Sequence, residues 1–392
     1  MVSQQALDSL RAGFHGKVLS PRDPGYDAAR TLFNAMIDRR PALIAQCATV
    51  DDVRRALRFA RGHDLPVSVR GGGHGVAGKA VVDDGLMIDL RLMHEVRVDP
   101  DARTATIAGG ATMSHLDRAT AAYGLATTGG RVSTTGVGGY ALGGGDGWMA
   151  RKMGLACDNL LAVELVTADG EVIQASEREH PDLFWALHGG GGNFGVATKL
   201  TFRLHELDRV TVALLFWPPE AAPEVLRAYR DVMEKASDDF GGGSLYLTAP
   251  EESFVPDTLV NRLAFAILIV YAGTEDAARA EAAPLFALRP QGRFLAEMAY
   301  ADLQCMLDDP PGYRNYWSAE YLDALPDAAI DRYCARAADM IVPSPSQQAL
   351  FPQGGAIARG SADYPIPWRN APWCLHPFGL WAAAGTARCA PT

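Results

Sequence analysis

The stretch Val67-Ser68-Val69-Arg70-Gly71-Gly72-Gly73-His74-Gly75 decides how this chain is read, because it sets a histidine at the end of a glycine turn leaving a strand. Leu65 to Val69 is short, apolar and β-branched, so a buried strand is expected there. Three consecutive glycines remove every Cβ from the turn. Backbone N–H groups can then converge on an anion, and a bulky ligand can press against the main chain. Arg70 adds a fixed positive charge, and the imidazole of His74 is able to ligate a metal, shuttle a proton or form a covalent bond. A phosphate-bearing cofactor fits this turn. A plain glycine loop with a surface histidine fits it too, and the rest of the N-terminal half decides between them.

A second cluster, Thr134-Thr135-Gly136-Val137-Gly138-Gly139-Tyr140-Ala141-Leu142-Gly143-Gly144-Gly145-Asp146-Gly147, is too rich in glycine to be an ordinary helix or strand and has to be held by something else. A third block, Gly154-Leu155-Ala156-Cys157-Asp158-Asn159-Leu160-Leu161, leads into Ala162 to Thr167, the turn Asp169-Gly170 and Glu171-Val172-Ile173, which reads as a β-hairpin. The fourth runs from Pro181 to Leu187, through Gly189-Gly190-Gly191-Gly192-Asn193-Phe194-Gly195-Val196, into a strand from Ala197 to Leu204.

Together the four blocks resemble the covalent flavoprotein oxidases of the berberine bridge enzyme type, within the vanillyl-alcohol oxidase and p-cresol methylhydroxylase superfamily. The resemblance is dense over residues 40–205 and implies FAD as cofactor. It makes His74 the point at which the 8α-methyl group of FAD is attached. Arg70, Gly71, Gly72, Gly73 and Gly75, with Thr134, Thr135, Gly138, Gly139 and Gly145, would cradle the pyrophosphate; Asn159 and Val196 of the later blocks complete the implied cofactor-binding set. Many family members hold the flavin at a second point through a cysteine just ahead of the second cluster. Val132 stands there in this chain, so a single attachment is expected. Cys157 lies two blocks later and is read as a buried free thiol. A Rossmann reading of Gly190 to Gly195 fails, because the run enters a strand rather than opening a helix.

Composition bounds the class. With 392 residues and 48% hydrophobic content the chain can build more than one domain. A net charge of -10 argues against nucleic-acid or anionic-membrane partners. The six cysteines are scattered without metal-ligand pairing, no metal site is expected, and they fit a reducing compartment. The start Met1-Val2-Ser3-Gln4-Gln5 lacks the basic and apolar pattern of a secretory signal. A cytoplasmic location follows as the expectation.

The fold class expected is α+β: a two-subdomain FAD-binding domain of p-cresol methylhydroxylase type (1–207), then a substrate domain (208–352), then an incomplete return to the FAD domain (353–392). In the first domain, Thr49 to Asp52 looks like a helix cap, with Val53, Ala56, Leu57 and Ala60 on one face up to Gly62. Strands at Leu86 to Leu90, Val96 to Val98 and Thr104 to Ile107 and a helix from Ser114 to Tyr123 follow. In the second, strands at Val210 to Trp217, Ser244 to Thr248 and Leu263 to Tyr271 alternate with helices at Pro219 to Ser237 and Glu275 to Phe286, giving an antiparallel sheet backed by helices. Gly312-Tyr313-Arg314-Asn315-Tyr316-Trp317 is suited to gripping a ring, and Tyr316 is the catalytic candidate.

The resemblance stops near Trp381. Family members continue through a Tyr-x-Asn motif over the flavin, and Ala382 to Thr392 shows no periodicity, so the tail reads as truncated. An uncovered apolar face would then favour homodimerisation. The mechanism implied is hydride transfer to flavin N5 from a small alcohol-bearing substrate, a sugar or secondary metabolite, with a base taking a substrate proton. Oxygen would reoxidise the flavin; Thr135, close to Val in size at the family's oxygen gate, favours an oxidase over a dehydrogenase. The alternative is a catalytically impaired flavin-binding remnant.

Overall fold

The computed structural model describes residues 3–308 and 311–382. The tail 383–392, read above as patternless, lies outside them. The described residues form three small sheets and one large one. The first is four-stranded, in the order Lys17–Leu19, Leu43–Gln46, Leu86–Asp89, Val67–Arg70. Leu86–Asp89 pairs in parallel with both of its neighbours, which requires crossover connections, and the helix Val50–Gly62 supplies one of them. That helix is closed at its start by a reciprocal Thr49/Asp52 capping box and buries Val53, Ala56, Leu57 and Ala60, the face read from the sequence. Asp52 is fully buried, and its carboxylate accepts from the backbone N–H groups of His15, Gly16, Ala48 and Thr49. One side chain thus ties the N-terminal segment to the helix and to the strand before it.

The second sheet, in the order Val96–Asp99, Thr104–Ala108, Val196–Arg203, Leu160–Val166, Val172–Ser176, is antiparallel throughout; it contains the hairpin expected across Asp169-Gly170, and the strands expected at Val96 and Thr104 pair as a second. A two-stranded ribbon pairs His205–Glu206 with Leu125–Ala126. The glycine run before Val196 does enter a strand.

The large sheet is antiparallel, in the order Gly292–Ala299, Arg209–Trp217, Leu263–Tyr271, Phe240–Thr248, Gln347–Pro352, Trp373–Ala382, Tyr313–Trp317, with Glu320–Leu322 also on Trp373–Ala382. Its strands Arg209–Trp217, Phe240–Thr248 and Leu263–Tyr271 are buried on both faces. Val210, Val212, Leu214 and Phe216 face the N-terminal half with Trp148, Met149 and Met153; Ala213, Leu215 and Trp217 face helices Ala222–Met233 and Asp327–Ala337. Each of the large side chains so buried contributes roughly 1.5–3 kcal/mol.

Four expectations are corrected. Val67 is 39% exposed, because Val67–Arg70 is an edge strand. Val137–Leu142, inside the second glycine cluster, is helical: Val137, Ala141 and Leu142 bury into the core of the second sheet, and that packing overrides the poor propensity of glycine. Phe240–Thr248 starts earlier than expected, through Gly241 to Gly243, where Cβ atoms on Gly241 and Gly242 would strike the carbonyls of Trp148 and Leu268. The C-terminal return is divided. Gln353 to Arg369 packs on the N-terminal half, where Arg369 forks onto Asp158 at 2.7 and 2.8 Å, but Trp373–Ala382 is an inner strand of the large sheet. No helix among the described residues is long and apolar enough to cross a membrane.

Replacing Asp52 by Ala leaves buried N–H donors without their acceptor, and the expected loss of stability is on the order of 3 kcal/mol. Thermal unfolding of Asp52→Ala beside Asp52→Asn, which keeps one acceptor oxygen, checks it; equal midpoints in the two variants and the parent would contradict the assignment.

Candidate active site

The turn after Val67–Arg70 is built by contact between two backbones. A Cβ on Gly72 would lie 2.2 Å from the amide nitrogen of Gly136, and a Cβ on Gly136 would lie 2.2 Å from that of Gly72. Neither glycine can be replaced without parting the turn from the second cluster. Gly71 and Gly138 both abut the carbonyl oxygen of Gly109, and a Cβ on Gly109 would meet the carbonyl of Ala197 at 2.1 Å. The first and second glycine blocks therefore meet along one seam, and Gly109 ties that seam to the strand that follows the fourth. The N–H groups of Gly71, Gly72, Gly73, His74 and Gly75 donate to no acceptor among the described residues. Successive free N–H groups in a tight turn form an anion nest.

Behind the nest Arg70 is buried, with Nη1 donating to the Ala29 carbonyl at 2.6 Å and Nε unpartnered. Burial, then the charge of Arg91, lowers its pKa to about 10, so the charge stays on at neutral pH. His74 stacks on Phe33 with centroids 4.1 Å apart, and its Nε2 lies 2.7 Å from Thr134 Oγ1. Burial above all holds its pKa down to about 4. The ring is neutral at pH 7, and Nδ1 makes no hydrogen bond among the described residues.

Asn34 carries this turn to the large sheet. Its Nδ2 donates to the carbonyls of Val76 and Asn315, and its Oδ1 accepts from the Asn315 N–H. A face of rings follows. Phe33 meets Trp317 at 5.9 Å, Trp317 meets His376 at 6.1 Å and Phe378 at 5.2 Å, and Phe351 lies 4.0 Å under the guanidinium of Arg131. Arg131 pairs with Asp146 at 2.9 Å; burial works to lower its pKa, and Asp146 outweighs that. Around it the polar atoms Trp148 Nε1, Trp317 Nε1, Gln353 Oε1 and His376 Nδ1 are enclosed without partners. Buried polar groups are normally satisfied. Their concentration between seam and sheet marks a place for a polar ligand.

The predicted residues divide accordingly. Arg70 to Gly75, Thr134, Thr135, Gly138 and Gly139 line or flank the seam; Val196 is buried in the first sheet's core, one residue from the Ala197 carbonyl that Gly109 touches. Gly145 lies off the seam with φ +84°, its carbonyl accepting from Ala156. Asn159 is fully occupied, donating to Met153 and Leu155 and facing His205 Nε2 at 2.6 Å. Cys157 is a buried thiol that burial pushes up to about 12. Tyr316 is not brought to the site. Strand alternation turns Trp317 toward Phe33 and leaves Tyr316 facing the other way, 70% exposed. Phe33, Arg131, Trp317 and His376 were missed. The run Gly312 to Trp317 held the signal, but choosing its inward residue needs the pairing of Trp317 with Phe378.

The chain is similar to known proteins in sequence and in fold. Residues 41–176 match the family model described as FAD binding domain, and the described residues have the fold of the p-cresol methylhydroxylase-type FAD oxidases. It superposes on 6-hydroxy-D-nicotine oxidase from Arthrobacter nicotinovorans with a TM-score of 0.83 and 27% identity, over 95% of this chain and 82% of that one. Chitooligosaccharide oxidase gives 0.83 at 22% identity over 97% and 83%, a likeness of fold alone. In sequence, the chain is 39% identical over 226 residues to (R)-6-hydroxynicotine oxidase of Paenarthrobacter nicotinovorans, spanning 57% of this chain and 49% of that protein. It is 31% identical over 349 residues to FAD-linked oxidoreductase pgmH of Aspergillus terreus, spanning 87% and 66%. The chain thus spans about half the length of the first curated relatives it matches.

Beneath the seam, burial lifts Asp117 from its ordinary 3.8 to about 7. The amide of Gln304 is 3.5 Å away, too far for a strong bond, and is committed to the Gly130 carbonyl at 3.0 Å. Because the folded state favours the protonated carboxyl, the stability this preference confers is present below pH 4 and is lost as pH rises through about 7. Asp117→Asn is therefore expected to raise the thermal midpoint by several degrees at pH 8 and by much less at pH 5. A pH-independent difference would contradict this.

Proposed function

We propose that the protein is an FAD-dependent oxidase that holds its flavin covalently through His74, by that bond alone, and oxidises an alcohol-bearing sugar or secondary metabolite. The observation that carries this reading is the nest of free N–H groups closed against Gly136, with a neutral imidazole at its rim. The nest and the charge of Arg70 suit the two phosphates of a dinucleotide. Thr134 and Phe33 fix the His74 ring while leaving Nδ1 available to the flavin methyl group. Val132 offers no thiol for a second bond. When bound, FAD supplies a hydride acceptor that passes two electrons to dioxygen, giving hydrogen peroxide. Phe33, Trp317 and Phe378 keep water from the reacting centre and present flat apolar walls to a substrate. The name of the 39%-identical relative supports oxidation at a small ring-bearing molecule, and those of the structural neighbours include sugar oxidases.

Purified protein is expected to be yellow and to keep its flavin after acid precipitation, with the FAD mass on the peptide containing His74 and none on that containing Cys157. His74→Ala is expected to release the flavin to the supernatant. Peroxide release is then measured with D-glucose, cellobiose, 6-hydroxynicotine and 4-hydroxybenzyl alcohol. Freely extractable flavin in the parent protein would overturn the attachment, and a doubly linked flavin would overturn the role of Val132.

A further inference from the structure

On the large-sheet face turned toward the seam, His376 is stacked on Phe378 with centroids 3.9 Å apart and planes 9° apart, and stands edge-on to Trp317 and Phe351. Its Nδ1 is enclosed and makes no hydrogen bond of ordinary distance and angle, although the backbone of Pro377 and of His376 itself lies near enough to favour the protonated ring slightly. Buried polar groups are normally satisfied, so an enclosed ring nitrogen on the face turned toward the cofactor seam is placed to meet a polar group brought there by a ligand. The charged groups facing it are Arg131 and Asp146, which are paired with one another. We propose that His376 is the catalytic proton acceptor of this enzyme, taking the hydroxyl or amine proton of the substrate as its C–H bond is oxidised.

The proposal rests on the oxidase reading above and supplies the base that Tyr316, on the far face, does not. Burial, then Arg131, lowers the His376 pKa to about 4, so at neutral pH the ring carries a lone pair. The ring is in the protonation state that general-base work requires, and because its pKa lies well below the working pH it is a weak base, whose contribution falls at the low end of general-base catalysis. In the step itself, the substrate O–H proton moves to a ring nitrogen of His376, and the hydride of the neighbouring C–H leaves to the flavin. The O–H bonding pair becomes the second bond of the product carbonyl. Dioxygen takes the two electrons, and the His376 proton leaves with them in hydrogen peroxide. Stacking on Phe378 fixes the ring plane, and Trp317 bounds the space in which the substrate hydroxyl must sit.

The test is anaerobic bleaching of the loaded enzyme by whichever of the four compounds named above bleaches the parent fastest, followed from pH 4 to 8. His376→Asn is expected to slow bleaching about a hundredfold or more and to abolish the decline toward pH 4 that protonation of His376 imposes on the parent. The covalent flavin fraction and thermal midpoint should be unchanged. His376→Ala is expected to regain part of its rate with added imidazole. Bleaching within fivefold of the parent, or an acid decline that persists in His376→Asn, would overturn the proposal, as would a slowed variant whose alanine counterpart imidazole fails to rescue. A parent flavin bleached by dithionite and by none of the four compounds would instead contradict the oxidase reading itself.

Discussion

The contact between the backbones of Gly72 and Gly136 is the constraint on which the rest depends. Two turns from different sheets meet with no side chain between them, and beside that contact the N–H groups of Gly71 to Gly75 are left without acceptors among the described residues. A methyl group at either position would force the turns apart, since carbon cannot approach backbone nitrogen to 2.2 Å. Gly109 extends the same logic to the second sheet, so glycine contacts, together with the packing of Val166 and Val196 into the first sheet's core and of Val137, Ala141 and Leu142 into the second's, register sheet one, sheet two and the short helix Val137–Leu142 against each other.

A second constraint joins this seam to the large sheet. Asn34 meets both the N–H and the carbonyl of Asn315, as a strand would, and with the Ala35 to Tyr313 bond it continues the sheet into the N-terminal segment. Phe33, one residue earlier, is thereby fixed between His74 and Trp317. Period-two alternation does the rest: Trp317, His376, Phe378 and Phe351 share the inner face, while Leu375, Leu350 and Tyr246 pack against the outer helices. The aromatic wall and the helix-backed core are two sides of the same strands.

What the chain disclosed before folding follows from range. Glycine turns, the capped helix Val50–Gly62 and the apolar strand Leu263–Tyr271 are local patterns, and each was legible. The helix Val137–Leu142 was not, because its stability comes from burial of Val137, Ala141 and Leu142 rather than from propensity. Nor was the choice between Tyr316 and Trp317. It depends on a partner strand some sixty residues later, whose own sequence, Trp373-Cys374-Leu375-His376-Pro377, carries a proline and no simple alternation. Arg131 and Asp146 lie within or beside a glycine-rich block whose composition drew attention away from their charge. Asn159 was legible as part of a block, but its role is to hold that block together and to meet His205.

The central claim is that one cofactor lies between the glycine seam and the aromatic wall. Electron density from crystals of the yellow protein tests it most directly. The account predicts phosphate density within hydrogen-bond distance of the Gly71 to Gly75 amides, continuous density from His74 into a flat ring, and His376 against the face or edge of that ring. Phosphates bound elsewhere, or a ring set against Tyr316 with His376 remote from it, would contradict the account.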